Sequence, residues 1–302
     1  MDYRCCTLCP RACRVDRTAG QTGFCGMTDT LRAARAALHF WEEPCLSGIR
    51  GSGAIFFSGC SLRCVYCQNY TIAAGESGLP ISSRRLYDIF FELKAQGAHN
   101  INLVTPTHFL PHIREALIES RRDGLQLPVI CNTGGYELPE VLHSLEGLID
   151  IYLPDFKYWS PELAAQYSHA PDYPEQAKAA IAEMVRQTGS TILDKEGMMQ
   201  RGTIVRHLLL PGQLPDSKAV VRYLFETYGH RIWISLMNQY TPIDRPILPP
   251  ALRRTVSPAE YDELIDYAVS LGVENGFIQE DGTAAESFIP PFDNTGILPK
   301  KR

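Results

Sequence analysis

The sequence predicts an α/β protein built around a partial, open barrel of six βα units. From residue 53 onward, short apolar runs alternate with longer amphipathic runs, which is the order expected when a chain builds a parallel sheet. Six units are too few for the closed eight-stranded barrel, so we expect an open six-stranded TIM-type barrel. Eight of the ten cysteines lie before residue 65, which predicts a cysteine-rich region in front of the barrel.

The elements follow from periodicity and turn residues. Predicted strands are 53–58, 99–104, 128–132, 149–154, 202–210 and 231–237, and predicted helices are 83–96, 111–123, 139–145, 175–188 and 217–228. Ser257, Pro258 and Glu260 predict the start of a last helix, with a serine cap and a capping glutamate. We expect a long loop with a short helix at 158–174, a flexible turn or hairpin at 191–201, and an irregular segment at 239–255. These elements suggest three regions: a cysteine-rich metal-binding region (1–50), a barrel (51–245) and a C-terminal extension (246–302).

Composition narrows the class of protein. With 45% hydrophobic and 21% charged residues, the chain is typical of globular proteins, and its net charge of −5 gives no basic surface for nucleic acid. The first residues lack the apolar core of a signal peptide, and no stretch approaches the ~20 apolar residues of a membrane span. We therefore expect a cytoplasmic protein with neither a membrane nor a nucleic acid as its partner. Cysteines in such a protein indicate metal or redox chemistry rather than disulfides.

Three cysteines follow the first predicted strand in the pattern C-x3-C-x2-C: Cys60, Cys64 and Cys67. Three thiols at this spacing can bind one compact inorganic centre. A cubane 4Fe–4S cluster usually takes four cysteines, so three would leave one iron open to a ligand that is not protein. Zinc is the alternative, although it favours four protein ligands, often as two C-x2-C pairs. We expect the chemistry at the open iron.

A second group of cysteines forms the pattern C-x2-C-x3-C-x11-C near the N-terminus: Cys6, Cys9, Cys13 and Cys25. Glycines in this stretch predict tight turns without long secondary structure, so we expect a metal to support its folding. A structural zinc and a second iron–sulfur cluster suit four thiolates equally well, and free thiols are the alternative. Cys5 competes with Cys6, and Cys45 is a spare candidate. His39, on an apolar stretch predicted to be helical, is expected to be packed rather than a ligand.

Polar residues follow the other predicted strands where each strand ends. They are Thr105 and Thr107 after the second strand, Asn132 after the third, Asp155 and Lys157 after the fourth, and Arg206 near the end of the fifth. In parallel barrels the active site lies at the carboxyl ends of the strands, so we expect these side chains on one rim. Arg206 and His207 face opposite sides of their strand, and we expect Arg206 to face the barrel interior. Cys131, within an apolar strand, is expected to be a buried small hydrophobe.

Residues 57–69, FSGCSLRCVYCQN, resemble the radical S-adenosylmethionine superfamily, and within it proteins similar to the pyruvate formate-lyase activating enzyme. The resemblance is carried by the cysteine spacing, by Tyr66 before the last cysteine and by the strand leading into the loop. It covers about residues 53–245. It implies that Cys60, Cys64 and Cys67 hold a catalytic 4Fe–4S cluster and that S-adenosylmethionine chelates the open iron through its amino and carboxylate groups. One electron then cleaves the sulfonium bond, and a 5′-deoxyadenosyl radical abstracts hydrogen from a substrate.

The resemblance also implies cofactor contacts at the strand ends. Related enzymes hold the methionine amino group with a glycine-rich acidic motif after the second strand, where this chain has VTPTH at 104–108. We expect Thr105, Thr107 or backbone carbonyls to make this contact with the methionine amino group instead. The alternative role for Thr107 is to cap the following helix. Asn132 would bind a ribose or carboxylate, or belong to a tight turn.

Asp155 and Lys157 resemble an Asp-x-Lys stretch that lines the cofactor and substrate cleft of activating enzymes, and a partly buried ion pair is the alternative. Arg206 would pair with the methionine carboxylate through its planar fork, or equally stabilise a neighbouring protein carboxylate. At Gln239 and Tyr240 related activating enzymes carry an aromatic residue followed by histidine, so cofactor contacts there are not expected to transfer.

The resemblance implies an oxidoreductase-type enzyme whose substrate is a glycyl-radical protein and whose electron donor is a flavodoxin or a ferredoxin. Modification of a small molecule is the second candidate, because the glycine-rich motif is missing. An alternative of another class is a non-catalytic iron–sulfur or zinc protein that acts in electron transfer or binding. The ten cysteines would suffice for such a protein.

Overall fold

The computed structural model describes residues 2–243, 248–279 and 290–299. Its strands are β1 (Arg32–His39), β2 (Ser52–Phe57), β3 (Leu79–Pro80), β4 (Ile101–Val104), β5 (Val129–Thr133), β6 (Ile151–Pro154), β7 (Ile192–Leu193), β8 (Met199–Leu208), β9 (Trp233–Met237) and β10 (Gly276–Ile278). Its α-helices are α1 (Pro44–Ser47), α2 (Tyr70–Ala73), α3 (Ser83–Ala95), α4 (Leu110–Arg122), α5 (Pro139–His143), α6 (Pro161–Ser168), α7 (Tyr173–Thr188), α8 (Leu214–Tyr228) and α9 (Pro258–Leu271).

The centre of the fold is a run of six parallel strands in chain order: β2, β4, β5, β6, β8 and β9. They coincide with the six predicted strands. Beyond β9 the sheet continues with the parallel strand β10, and beyond β2 it continues with β1 and then β3, both antiparallel to their neighbours. The described part of the sheet is therefore open, as predicted, and its six central strands end on one rim.

The helices cover the sheet with apolar faces. In α3 the residues Leu86, Ile89 and Leu93 lie on one helical face and are buried in one of the two large hydrophobic clusters, together with Ile101 of β4. Burial of each such side chain stabilises the fold by roughly 1.5–3 kcal/mol. The last helix, α9, begins as predicted, with reciprocal capping hydrogen bonds between Ser257 and Glu260.

One prediction of secondary structure is wrong. The stretch that carries His39 is not helical but is strand β1, which pairs antiparallel with β2 from Ala33 to His39. Alanine favours helices by only a few tenths of a kcal/mol per residue, and such a preference yields to tertiary context. Here β1 pairs on one side with β2 and on the other with β3, so its backbone groups are satisfied by the sheet.

The less regular segments agree with expectation where they are described. The loop at 158–174 contains one short helix, α6, and the segment 191–201 is a hairpin in which β7 pairs with the start of β8. The predicted irregular segment 239–255 includes residues 244–247, which lie outside the described residues. The structure assigns one 3-10 turn, Pro250–Leu252, to the rest of that segment. Among the described helices, none is long and apolar enough to cross a membrane.

A buried arginine fastens the cysteine-rich stretch to the barrel. Arg17 has no exposed surface, although it lies in a single 3-10 turn. Its guanidinium donates hydrogen bonds to the carbonyl oxygens of Thr28 (3.1 Å) and His108 (2.7 Å), and it lies 4.5 Å from the ring centroid of Tyr3. The stretch thus packs on the barrel through specific polar contacts as well as a small apolar cluster.

Candidate active site

A cavity of about 250 Å³ opens at the carboxyl ends of the central strands. All predicted residues of the cysteine loop and the strand ends line it: Cys60, Cys64, Cys67, Thr105, Thr107, Asn132, Asp155, Lys157 and Arg206. They come from five different strand ends, so the parallel sheet brings them together. Cys6, Cys9, Cys13 and Cys25 lie outside this cavity, in the N-terminal stretch.

The cysteine loop begins with a tight turn at Gly59. Its φ of +86° is a conformation that side chains rarely adopt, and a Cβ there would lie 2.4 Å from Cγ of Met27. Only glycine therefore fits between β2 and the first thiol, and the turn brings the loop against the cysteine-rich stretch.

Of the thiols of the loop, that of Cys64 is buried and those of Cys60 and Cys67 are half-buried. Burial, together with the charges of Cys64 and Cys60, raises the pKa of Cys67 to about 12, and burial also raises the pKa of Cys60. Such thiols stay protonated unless a cation compensates the thiolate, which is what a bound metal does. Three thiols around one cavity, with no fourth cysteine among its lining residues, match the donor set of a 4Fe–4S cluster with one open iron. Within the described residues, no group of three or more His, Cys, Asp or Glu is arranged as around a single metal ion.

A hydrogen-bond chain supports the sulfur of Cys64. Ser168, at the end of α6, donates from Oγ to Cys64 Sγ at 2.9 Å, and Tyr158 OH lies 2.7 Å from the same Oγ. Tyr158 also donates to Tyr66 OH at 2.8 Å. Hydrogen bonds to a cluster's sulfur ligands tune its reduction potential. Sequence reasoning missed Ser168, because it lies 104 residues from Cys64 and only the fold joins them.

Asp155 and Lys157 form a partly buried ion pair, which was the alternative to a role in the cleft, and they line the cavity as well. Their side chains are 23% and 18% exposed. Burial opposes the charge of Lys157, but the nearby Asp155 carboxylate outweighs it, so the pKa of Lys157 is raised. Lys157 therefore stays charged beside the cysteine loop.

Arg206 binds two carboxylates that the sequence reasoning missed. Its guanidinium donates to Glu43 at 2.9 Å and 3.1 Å and to Glu42, and all three side chains are at most 15% exposed. Burial opposes the charge of Arg206, and the two carboxylates overcome this and raise its pKa. Of the two roles expected for Arg206, stabilisation of a neighbouring carboxylate is thus present in the structure.

One feature of the sequence could have pointed to Glu42 and Glu43. They are the only Asp, Glu, Lys or Arg residues in 36–49. Glu42 lines the cavity and accepts a hydrogen bond from Asn102 Nδ2 at 2.9 Å and a longer one from Asn132 Nδ2 at 3.5 Å. The orientation predicted for Arg206 is confirmed, because His207 faces away from the cavity and its Nδ1 lies 2.7 Å from the carbonyl oxygen of Phe156.

The two threonines at the second strand end differ. Thr105 has a φ of +57°, which is rare for a β-branched residue, and its N–H donates to the carbonyl oxygen of Asn132 at 2.8 Å. Thr107 donates from Oγ1 to Glu137 Oε1 at 2.9 Å. The alternative that Thr107 caps the following helix is wrong, since neither the 3-10 turn at 107–109 nor α4 has a side-chain cap.

Glu137 is a buried carboxyl that sequence reasoning also missed. It is 2% exposed, lines the cavity and accepts a second hydrogen bond, from Thr133 Oγ1 at 2.9 Å. Burial raises its pKa to about 7, although the hydroxyls of Thr107 and Thr133 act in the opposite direction. The chain turns back at Gly135, where φ is +77° and a Cβ would lie 2.1 Å from the carbonyl oxygen of Asp155. This glycine turn, two residues before Glu137, was the feature of the sequence that could have pointed to the buried carboxyl.

The N-terminal cysteines form a second group. Burial, assisted by the charges of Cys25, Cys13 and Cys6, raises the pKa of Cys9 to about 12, so the four thiols are close enough to interact. Cys5 is exposed whereas Cys6 is buried, which favours Cys6 as the member of the group.

Two other cysteines lie in apolar surroundings. Cys45 lies in a separate apolar cluster with Ile130 and Ile151, away from the N-terminal thiols. Cys131 is a buried small hydrophobe, as predicted, and burial raises its pKa well above the usual value.

Arg11 joins the two cysteine groups. It lies between Cys9 and Cys13 in the chain and donates from Nε to the carbonyl oxygen of Ser61 at 2.9 Å and from Nη2 to that of Ser168 at 2.8 Å. Its guanidinium also lies 3.9 Å from the ring centroid of Phe24. The N-terminal group is therefore packed directly on the loop that carries Cys60, Cys64 and Cys67.

Residues 54–224 match the family model of the radical SAM superfamily. The chain belongs to this superfamily, and the open parallel barrel and the cysteine loop are those of a radical SAM enzyme. A protein of Methanocaldococcus jannaschii, the uncharacterized protein MJ0674, is 25% identical over 276 residues, or 88% of this chain and 75% of its own.

Among solved structures, SuiB of Streptococcus suis bound to S-adenosylmethionine superposes with a TM-score of 0.51 at 12% identity, over 78% of this chain and 52% of SuiB. SuiB bound to its precursor peptide SuiA superposes with the same TM-score of 0.51, over 74% of this chain and 47% of SuiB. The chain thus spans about half the length of SuiB, and the likeness is one of fold.

Proposed function

We propose that this radical SAM enzyme reductively cleaves S-adenosylmethionine in the cavity at the strand ends, for hydrogen abstraction from a substrate. The observation that carries the proposal is the convergence of Cys60, Cys64 and Cys67 with charged strand-end residues on one cavity. When bound and reduced, a 4Fe–4S cluster at these thiols supplies the electron that cleaves the sulfonium bond and yields methionine and a 5′-deoxyadenosyl radical.

The residues of the chain bind and orient the cofactor and exclude water. The Asp155–Lys157 pair and the Arg206–Glu42–Glu43 group are fixed charges, and their ion pairs hold them in place before a ligand arrives. Asn132 and Thr105 present polar groups at neighbouring strand ends, where they suit a ribose or the methionine carboxylate. Buried aromatic residues behind the loop, Tyr66 and Tyr158, keep water from the thiols.

The test is cofactor cleavage by anaerobically reconstituted protein with dithionite. We expect release of 5′-deoxyadenosine from S-adenosylmethionine, and its loss when Cys60, Cys64 and Cys67 are all changed to alanine. Cys131→Ala is the matched control, because that cysteine is buried outside the cavity, and it should retain cleavage. A fully loaded wild-type cluster that releases no 5′-deoxyadenosine would refute the proposal. A wild-type cluster whose spectrum does not change when S-adenosylmethionine is added would favour the non-catalytic iron–sulfur protein.

The substrate we propose is a polypeptide, with a glycyl-radical protein as the specific candidate. The fold likeness to SuiB, which binds a precursor peptide, supports a peptide substrate, and modification of a small molecule is the second candidate. Incubation with a co-purified partner, followed by electron paramagnetic resonance, should give the doublet of a glycyl radical. Its absence together with deuterium transfer between a small molecule and 5′-deoxyadenosine would favour the second candidate.

We also propose a second metal, zinc or an iron–sulfur cluster, at Cys6, Cys9, Cys13 and Cys25. Their mutual electrostatic influence and the exclusion of Cys5 and Cys45 from the group support it. The electron donor is a flavodoxin or a ferredoxin in this proposal, and the protein works in the cytoplasm. Reduction of the reconstituted cluster by either donor, followed spectroscopically, tests that assignment.

A further inference from the structure

The cavity carboxylates differ in how their charges are balanced. Asp155 is paired with Lys157, and Glu42 is paired with Arg206. Glu137 lines the same cavity, yet within the described parts of the chain it forms no salt bridge. It accepts hydrogen bonds there from the hydroxyls of Thr107 and Thr133. A buried carboxylate with two neutral donors is costly to keep ionised unless a cation or further donor arrives.

The position of Glu137 is fixed from both sides. One oxygen accepts from the threonine after β4 and the other accepts from the last residue of β5, each at 2.9 Å. The turn at Gly135 leaves no room for a side chain against the Asp155 carbonyl, so the backbone two residues before Glu137 packs closely on the end of β6. A carboxyl held this rigidly beside a cavity is preorganised for a ligand group that donates hydrogen bonds.

We propose that Glu137, held by Thr107 and Thr133, is a binding subsite for the amino group of a ligand. An amino group has N–H donors for the carboxylate's remaining lone pairs and carries a positive charge when it is not bound to a metal. It would supply the compensation that Lys157 and Arg206 supply to the other cavity carboxylates. The inference rests on the proposed function for its ligands, which are S-adenosylmethionine or an amine-bearing substrate.

The electrostatic surroundings agree with an amino-group ligand. The charged groups facing Glu137 are Asp155, which disfavours its ionisation, and Lys157, which favours it, while the neutral thiol of Cys131 lies behind it on β5. With a pKa near 7, the carboxyl is poised to ionise when a cation enters.

The experiment measures binding and does not depend on radical chemistry. Equilibrium dialysis under anaerobic conditions gives the Kd of S-adenosylmethionine for reconstituted wild type, Glu137→Gln and the control Glu140→Gln, whose side chain is exposed three residues further on. Saturation-transfer NMR with propylamine, in the presence of S-adenosylmethionine, probes a separate amine site.

If the amino group is that of S-adenosylmethionine, Glu137→Gln should raise its Kd about tenfold or more, and Glu140→Gln should leave it unchanged. If the amino group belongs to the substrate, the Kd of S-adenosylmethionine should be the same in wild type and both variants. The propylamine signal of wild type should then vanish only in Glu137→Gln. Equal binding of both probes by wild type and Glu137→Gln overturns the proposal.

Should Glu137→Gln fail to fold, Thr133→Val provides the second test. It keeps the carboxyl but removes one donor that favours its ionised form, so the pH midpoint of ligand binding should move upward. An unchanged pH profile contradicts the proposal. The proposed function fails separately: wild type that binds its ligand through Glu137 but releases no 5′-deoxyadenosine would refute cleavage and leave the subsite in place.

Discussion

The two cysteine groups of this molecule are built in opposite ways. Cys60, Cys64 and Cys67 follow a buried strand, and the parallel sheet brings polar and charged residues from four further strand ends beside them. Cys6, Cys9, Cys13 and Cys25 lie in a stretch whose regular structure within the described residues is one 3-10 turn before β1. The first site is built from the ends of sheet strands, whereas the second lies in irregular chain that side-chain contacts join to the barrel.

Specific side-chain contacts hold the N-terminal group against the rest of the molecule. Arg17 bridges it to the barrel through backbone carbonyls, and Arg11 bridges it to the cysteine loop. Each net hydrogen bond of this kind contributes about 1.5–3 kcal/mol at most. We infer that a bound metal, and not the packing alone, determines whether the N-terminal stretch is ordered.

The largest effect is therefore expected from changing the four N-terminal cysteines together to alanine. Structural zinc contributes about 10–16 kcal/mol in small metal-dependent domains, so without ligands the stretch 3–30 should lose protection in hydrogen–deuterium exchange. The barrel strands β4 and β5 should keep theirs. Metal analysis should show loss of one centre only.

Cys5→Ala is the matched control, because Cys5 is exposed beside the same turns. It should leave both metal content and exchange unchanged. If the four-cysteine variant has wild-type metal content, the second centre does not exist and the comparison between the two groups loses its basis.

A second prediction concerns the buried charges that the fold organises. Arg206→Gln leaves Glu42 and Glu43 side by side without their cation, so the free energy of unfolding should fall by about 3–5 kcal/mol. The midpoint of urea unfolding, compared between proteins prepared with equal iron content, measures this loss of stability. Arg254→Gln, which breaks the half-exposed pair with Glu260, should cost no more than about 1 kcal/mol. Equal losses for the two variants would contradict a buried, fold-organised site.

The sequence predicted the barrel and the cavity residues because both follow from local patterns. Strand periodicity placed the six central strands, and the rule that parallel strands end on one rim placed Asn132 and Lys157 beside the cysteine loop. It did not predict Glu42 or Ser168, whose roles depend on contacts with residues more than 100 positions away. It also misassigned β1, because alanine-rich segments lack a decisive period and pairing with β2 and β3 determined the outcome.

A third prediction follows from the burial of Glu137. Its pKa is about 7 when folded and near the ordinary value of 4.5 when unfolded, so between these values the folded state binds more protons. Stability should therefore fall as pH rises from about 4.5 to about 7, by an amount on the order of 3 kcal/mol. Urea midpoints across this range should reveal the decline in wild type without ligand, and Glu137→Gln should flatten it. A decline that persists in the variant would assign it to another group.

The smallest effect is expected at the edge of the cysteine loop, where the two groups meet. Ser168→Ala removes the 2.9 Å hydrogen bond to Cys64 Sγ, while the Ser168 carbonyl can still accept from Arg11. A hydrogen bond to a sulfur ligand favours the more negative, reduced state of a cluster, so its loss should lower the reduction potential of the proposed cluster at the loop. Redox titration followed by electron paramagnetic resonance measures the shift, and the proposed N-terminal centre should keep its properties. Ser160→Ala, at the other end of α6, is the control, since it removes a helix cap without contacting a thiol. An equal shift in both variants would mean that movement of α6, rather than the bond to sulfur, sets the potential.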